Sequence, residues 1–361
     1  MVRFRICRYL VWLAVLSACC MAHAQEPFPG EPAHLPKHAE PLPPPGLQDY
    51  GHPPLPSQQD PGVLRVTTNL VLVPTLVEHN DGSIVYGLKA SDFSLYDNGV
   101  PQQVHLDDDM DLTPISLVVC VERGRDAPLV QEEIQQLGTL LQLFTGGGHT
   151  DTALVAFDSK PVYLDGFSSN PSYVEQDLQS LAPGNGGAAI LDAVGYSLDL
   201  LEHQPADHRR VLLLVSESRD HGSTHVTIPS LVQRIGQSNT LVLSLVFSPS
   251  RAELNNWGHG GGSRGTMNLL APLMMTYNAM RKNIPRTLVH MTGGEYAPFG
   301  RDKRFQMDVV ELANHAYNRY LLSFHPTDLT PGLHHLEVRL NNGIQAIVIA
   351  RASYWATSPS G

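Results

Sequence analysis

The stretch Ile115–Val121, with the sequence ISLVVCV, is an apolar run of strand length. Such a run is typical of a β-strand that is buried on both faces, as strands of a parallel sheet are. Three similar runs follow along the chain: Thr152–Phe157 (TALVAF), Val211–Val215 (VLLLV) and Leu241–Phe247 (LVLSLVF). Ile115–Val121 is therefore predicted to be the first strand of a mostly parallel sheet.

Amphipathic segments lie between these strands. The first has apolar residues at intervals of 4, 3, 4 and 3, the spacing of one helix face: Val130, Ile134, Leu137, Leu141 and Phe144. Further helical faces follow Asn170, run from Ile190 to Leu201, and run from Ile228 to Ile235. Strands that alternate with helices predict an α/β fold with a doubly wound, mostly parallel sheet. Ligands of such sheets bind at the carboxyl ends of the strands.

The organisation of the folded chain is predicted from shifts in composition. A small all-β unit is expected over 63–112, where the turn signals His79–Gly82 and Asp97–Gly99 favour tight hairpins. The α/β domain is expected over 113–320, and a C-terminal β-hairpin extension over 321–356.

The N-terminus carries the pattern of an export signal. Arginines at positions 3, 5 and 8 precede Tyr9–Ala18, an apolar stretch too short to span a bilayer comfortably. We therefore expect a signal peptide over 1–24 and export to the periplasm or cell envelope. Two cleavage sites remain open: before Gln25, or before Cys19, which would leave Cys19 as a lipidated N-terminus. A lipid anchor at Cys19 is the only membrane association expected.

The segment 25–62 is dense in proline and has no hydrophobic period, so we expect an extended linker. If cleavage falls before Gln25, Cys120 is the one cysteine of the mature chain, and its apolar surroundings predict a core position. A structural disulfide is therefore not expected.

Composition and missing motifs exclude several functional classes. The chain has 35 acidic and 24 basic residues, a formal charge of −11, whereas non-specific nucleic-acid binding requires basic surface. The 17 histidines include no His-Glu-x-x-His motif, and Ser216-Glu217-Ser218 lacks the glycines of a hydrolase nucleophile elbow. We expect neither nucleic-acid binding nor enzymatic activity.

Several motifs, in order along the chain, resemble one family. The stretches are GLKASDF (Gly87–Phe93), YDNG (Tyr96–Gly99), RRVLLLVSESRDHGS (Arg209–Ser223) and the Thr292–Gly294 turn with the helix and strands after it. They resemble the exported VWFA-related (von Willebrand factor A-like) domain family described from Acidobacteria. The resemblance implies a VWA-like sheet, preceded by a β-unit.

The resemblance also implies a divalent-metal site at the carboxyl edge of the sheet, with oxygen ligands from a D-x-S-x-S motif, a Thr and an Asp. This chain departs from that pattern at every position. The corresponding residues are Glu122, Gly124, Asp126, Ala188 and Glu217. Two hydroxyl ligands are lost, two carboxylates are longer by one methylene, and Arg123 and Arg125 are placed to neutralise Glu122 and Glu217.

We therefore expect an exported binding or adhesion-type module that docks a protein or envelope partner without a metal or other cofactor. The alternative is a metal-dependent binder with a reshaped site formed by Glu122, Asp126 and Glu217. That site would hold calcium or magnesium weakly, calcium being the more tolerant of altered geometry. The combined substitutions E122D, G124S and A188T are expected to move the chain toward metal affinity.

Overall fold

The architecture is taken from a computed structural model, which describes residues 70–107, 113–144, 150–247, 270–300, 305–341 and 343–357. All of them belong to one compact unit of the chain. The predicted signal peptide, the linker and Cys19 lie outside the described residues. Residues 248–269 also lie outside them.

The described residues form fourteen strands and seven α-helices. The strands are β1 Val71–Glu78, β2 Phe93–Asp97, β3 Val100–Gln102, β4 His105–Asp107, β5 Ile115–Glu122, β6 Thr150–Phe157, β7 Pro161–Ser168, β8 Arg209–Ser216, β9 Thr240–Phe247, β10 Tyr296–Phe299, β11 Tyr320–Phe324, β12 Gly332–Leu340, β13 Ile347–Ala350 and β14 Ser353–Ala356. The helices are α1 Gln131–Leu140, α2 Pro171–Gln179, α3 Ile190–Glu202, α4 Ile228–Gln237, α5 Leu270–Lys282, α6 Ile284–Thr292 and α7 Phe305–Tyr317.

The main sheet has six strands in the order β10-β9-β8-β5-β6-β7. All neighbours are parallel except the edge strand β7, which runs antiparallel to β6. All eight residues of β5 are buried, because helices cover both faces of the sheet. This confirms the predicted doubly wound α/β fold.

The pleat of the central strands divides the core into two layers. Leu117, Val119 and Val121 point to a layer that includes α1, α2 and α7, whereas Val118 and Cys120 point to a layer that includes α3, α4 and α6. The five apolar residues of the first predicted helix face are all buried in the former layer, so that prediction is confirmed. The predicted core position of Cys120 is confirmed as well.

The remaining strands form two four-stranded sheets, β13-β1-β11-β4 and β14-β12-β2-β3, which share one apolar core. These two sheets, with the loops between their strands, are the β-unit of the folded chain, so the β-unit includes strands from both the 63–112 and the 321–356 segments. Strands from both ends of the folded chain combine here, since β1 pairs with β11 and β13, and β2 pairs with β12. β11 and β12 belong to different sheets, and β12 pairs antiparallel with β14. The tight turn between β2 and β3 has φ of 48° at Asn98 and 83° at Gly99, as a type I′ hairpin turn requires.

Helix α5 begins at Leu270, where the described chain resumes after β9. Met280 near its end is buried against α3, α4 and α6, whereas Met274 and Met275 are exposed. The helix therefore packs on the molecule along one side only. Among the described residues, no helix combines the length and apolar character needed to cross a membrane.

Candidate functional site

The order of the main sheet reverses between β5 and β8, because the chain leaves β5 toward β6 and later returns to form β8 on the other side. At such a reversal the loops after the two strands diverge and leave a crevice, where ligands of doubly wound sheets bind. Glu122 ends β5, and Glu217 follows β8 directly. The sequence-predicted positions therefore meet at the place where the topology itself puts a ligand site.

The two glutamates are in direct contact. The backbone N–H of Glu217 donates to Oε2 of Glu122 over 2.9 Å, and Glu122 is fully buried. Burial raises the pKa of Glu122 to about 9, with the nearby charge of Glu217 adding to the effect. Glu122 is therefore a neutral carboxylic acid at pH 7 in this environment.

Glu217 is held from both sides. Its Oε1 lies 3.2 Å from Nε of Arg125, an ion pair, and its Oε2 lies 4.0 Å from Nε2 of His221. Burial raises the pKa of Glu217 to about 7, although the Arg125 charge acts in the opposite direction. Arg125 has a left-handed backbone with φ of 36°, and its N–H is fixed by the carbonyl of Asn185 at 3.1 Å.

Gly124 lies under the loop that leads into α3. A Cβ at this position would overlap the carbonyl oxygen of Gly187 and come within 2.8 Å of the carbonyl oxygen of Asn185. The space where the resembled family has its first serine is thus filled by backbone. This corrects one expectation: G124S cannot restore a ligand hydroxyl without displacing the loop.

Ala188 is fully buried and supplies no side-chain oxygen. Its N–H and carbonyl exchange hydrogen bonds with His221 over 2.8 and 2.7 Å, which ties the loop before α3 to the loop after β8. Asp126, the remaining predicted position, is partly exposed and lies 3.7 Å from Nε of Arg125. The structure therefore gathers all five predicted positions at one edge, with Arg125 between two of their carboxylates.

The prediction for the two arginines is half right. Arg125 neutralises Glu217, but Arg123 points to Asp158, with 3.1 Å between Nη2 and Oδ2. Asp158 was missed by the sequence analysis, although it directly follows the apolar strand β6, where a site residue of this edge is expected. Asn185, which holds both Arg125 and the Ser159 N–H, was missed because nothing in its glycine-rich surroundings indicates a fixed conformation.

The donor set does not fit a divalent cation. Two buried oxygens of the site speak for a ligand, because Oε1 of Glu122 and Oε1 of Glu217 have no hydrogen-bond partner among the described residues; Oε1 of Glu217 makes only the ion pair with Arg125. Against it, the carboxylates of Glu217 and Asp126 face the Arg125 guanidinium, and Ala188 offers no hydroxyl. No group of three His, Cys, Asp or Glu side chains in the described part of the chain is arranged to hold a metal.

A six-stranded sheet in this order, with one antiparallel edge strand and helices on both faces, is VWA-like. Similar solved structures include the vWF domain of the type V pili tip protein Mfa5 from Porphyromonas gingivalis, at 15% identity and a TM-score of 0.28, covering 30% of this chain and 39% of that domain. The conserved hypothetical protein BatB from Bacteroides thetaiotaomicron is 12% identical with a TM-score of 0.38, over 56% of this chain and 98% of that chain.

The PilB minor pilin from Streptococcus sanguinis is 10% identical with a TM-score of 0.40, over 57% of this chain and 61% of that one. The match to the Mfa5 domain thus spans well under two thirds of its length. No protein-family model matches the chain, and no curated protein matches it.

Proposed function

We propose that this chain is a non-enzymatic binding module of the cell envelope, which docks a protein partner at the carboxyl edge of its main sheet without a metal ion. The observation that carries the proposal is the position of Arg125. Its guanidinium pairs with Glu217 at the reversal point of the sheet, where a ligand site is expected. The loops at this edge stay exposed, and Arg125 supplies the positive charge that a metal ion would bring to the site.

Export through the predicted signal peptide, followed by release or lipidation at Cys19, would place this edge in the periplasm or on the envelope. Membership of the exported VWFA-related family from Acidobacteria belongs to the same proposal. The motifs quoted above support it, in particular the Arg209–Ser223 stretch that forms β8 and the loop carrying His221.

Site-directed photocrosslinking tests where the partner docks. The photoreactive benzoylphenylalanine is placed at Thr224, which is exposed in the loop after β8, or at Tyr86, which is exposed in the N-terminal part of the β-unit. We expect a discrete protein adduct in the native envelope from Thr224 and none from Tyr86. The adduct should persist in excess EDTA. Adducts from Tyr86 alone would move the docking surface to the β-unit and contradict the proposal.

The alternative is a metal-dependent binder that uses Glu122, Asp126 and Glu217. Calorimetric titration with metal ions distinguishes it from the metal-free module. We expect no heat of binding from magnesium or manganese at micromolar concentration, and at most weak heat from calcium, because the Arg125 guanidinium already lies beside the carboxylates of Glu217 and Asp126. Tight magnesium binding by the unmodified chain would establish the alternative instead.

A further inference from the structure

A small pocket at the edge of the β-unit takes no part in the site described above. It has a volume of about 180 Å³ and lies between the β1–β2 connection and the ends of β4 and α7. Pockets that enclose drug-sized molecules are larger, roughly 300–1,000 Å³. The pocket therefore suits side chains of a peptide better than a whole small molecule. Its apolar and aromatic lining residues are Ile84, Tyr86, Leu88, Leu106, Tyr317 and Tyr320.

The walls of this pocket are fixed by the hydrogen bonds of one tyrosine. The Tyr320 hydroxyl donates to the carbonyl oxygen of Val85 over 2.8 Å and accepts from the N–H of Leu88 over 3.1 Å, so it holds the lining loop in place. Tyr86 on the rim is 68% exposed, and its hydroxyl has no hydrogen-bond partner among the described residues. The pocket is thus preformed, which lowers the cost of binding, and it carries an available donor at its entrance.

Pockets lined by aromatic rings are typical binding sites of proline-rich segments. Proline holds φ at about −65°, so a chain rich in proline is already extended and loses little conformational entropy on binding. Its backbone carbonyl groups make no internal hydrogen bonds and can accept one from a tyrosine hydroxyl. The chain itself carries such a segment, residues 53–56 with the sequence PPLP, shortly before its folded part.

We propose that this pocket binds residues 53–56 of the same chain. The described chain begins at Leu70, 14 residues after the last proline of that segment. Strand β1 then runs past the pocket, because Thr75 pairs with Tyr320. At about 3.4 Å per residue along the strand, Tyr320 lies roughly 17 Å from Leu70. A flexible tether of 14 residues has a root-mean-square length of about 20 Å, and binding within a chain is most effective when length and span match.

The other proline-rich stretch, residues 41–45 (PLPPP), ends 25 residues before Leu70, so its longer tether makes it the less effective competitor. Short flexible tethers give a local concentration on the order of millimolar. A contact that is weak between separate molecules is therefore well populated within the chain. Bound in this way, residues 53–56 hold the linker against the β-unit and keep other proline-rich chains out of the pocket.

Fluorescence anisotropy with a synthetic peptide tests the proposal. The probe is a fluorescein-labelled peptide with the sequence of residues 51–60 (GHPPLPSQQD), and the same peptide with alanine for proline at positions 53, 54 and 56 is the control ligand. It is added to the chain that begins at Gln25, in native form and as the variant P53A/P54A/P56A. We expect the variant to bind the proline peptide saturably and the native chain to bind it at least tenfold more weakly, since its own segment competes. The alanine peptide should bind neither.

Two further substitutions, made in the P53A/P54A/P56A background, locate the binding site. Y86S removes the exposed ring and the donor of the pocket, so we expect at least a tenfold loss of peptide affinity. Y173S is the matched control, because Tyr173 is also exposed, at 39%, but lies on α2. It should leave the affinity unchanged. Equal losses in both variants would place the peptide outside the pocket and overturn the proposal.

Equal affinity of the native chain and of P53A/P54A/P56A would show that the pocket is open and that residues 53–56 do not fill it. No binding to the variant up to millimolar peptide would equally overturn the proposal. Sedimentation tests one further occupant. A dimer of the native chain that P53A/P54A/P56A converts to a monomer would mean that the segment fills the pocket of a second copy, against a contact within one chain. Photocrosslinking from Thr224 reports on the carboxyl edge of the main sheet, so the proposed function stands or fails separately.

Discussion

Glu122 shows how one residue of the site departs from its ordinary chemistry. An acid whose pKa is raised on folding keeps its proton in the native state while the unfolded chain loses it. The free energy of unfolding therefore falls as the pH rises from the ordinary value of 4.5 toward about 9. The Glu122 carboxyl accepts the Glu217 N–H through Oε2, whether or not the carboxyl carries its proton.

We expect E122Q to keep the shape and the hydrogen bond of the neutral acid while removing this pH-dependent cost. Its stability relative to the native chain should increase between pH 5 and pH 8, measured as the urea midpoint. E122A, which leaves the Glu217 N–H unpaired and opens a cavity, should destabilise the protein by about 2–4 kcal/mol at pH 5, and this deficit should shrink toward pH 8 because E122A also lacks the titrating acid. A loss in E122Q that grows with pH would show that the native site holds an ionised Glu122.

Gly124 carries a second prediction at the residue scale. Because a Cβ there overlaps Gly187, we expect G124S to lower stability by about 1–3 kcal/mol or more, as overpacking does. A188T is the companion variant, because it enlarges a side chain that is already fully buried. Thermal unfolding measures both. If G124S unfolds at the native temperature, the loop over Gly124 is displaceable and metal restoration becomes feasible.

The sequence was informative about which residues meet and silent about how they pair. Glu122 and Glu217 were predictable as neighbours, since each follows an apolar strand and parallel strands end at a common edge. The neutralisation of Glu217 by an arginine was predicted, but the diversion of Arg123 to Asp158 was not. Which acid an arginine selects depends on distances of a few ångströms between loops, and no local pattern encodes them.

Among the elements, β12 carries a buried imidazole. His334 has Nδ1 at 3.0 Å from Oδ1 of Asp97 and Nε2 at 2.7 Å from the carbonyl oxygen of Thr330. Both ring nitrogens face acceptors, as an imidazolium requires. The hydrogen bond to Asp97 raises the pKa of His334 above its ordinary value, although burial opposes the shift. Tyr354 on β14 donates to the other oxygen of Asp97, which joins three strands at one point.

Because the pKa of His334 is raised on folding, its contribution is complete below the ordinary value of 6.5 and is lost as the pH rises through the folded value. We expect the native chain to lose up to about 1.4 kcal/mol per pH unit from this group in that window. D97N should reduce this dependence and destabilise the protein most at pH 6. Urea unfolding of both proteins at pH 6 and pH 8 measures the difference. Parallel pH profiles would show that His334 is neutral in the native state.

The elements of the main sheet were largely predictable, whereas in the β-unit the turn between β2 and β3 was predictable but the order of the strands was not. Apolar runs and helical spacing indicate β5, β6, β8, β9 and the helices between them, because each pattern is local. Strand β7, with the sequence PVYLDGFS, has no clean alternation and was missed. The pairing of β1 with β11 and β13 joins segments some 250 residues apart, and the order of such strands has no local signature.

At the scale of the whole molecule, Arg351 joins the β-unit to the main α/β layer. It is 4% exposed and lies between β13 and β14. Its guanidinium donates to the carbonyl oxygens of Leu72 on β1, of Gly236 in the last turn of α4 and of Ser238 just after it, over 2.6–3.1 Å. Burial lowers its pKa to about 10, so it stays charged at pH 7.

We expect R351M, which keeps the volume and removes the donors, to leave several buried carbonyl groups unpaired. The loss should be on the order of 3 kcal/mol or more. Because these carbonyls belong to both parts of the molecule, R351M should also separate a single calorimetric unfolding transition into two, with the β-unit melting first. R339M on the surface of β12 is the control, and loss of its exposed ion pair should leave the stability almost unchanged, because solvent screens the pair. If R351M and R339M melt alike in one transition, the apolar contacts between α4 and β14 unite the two parts without Arg351.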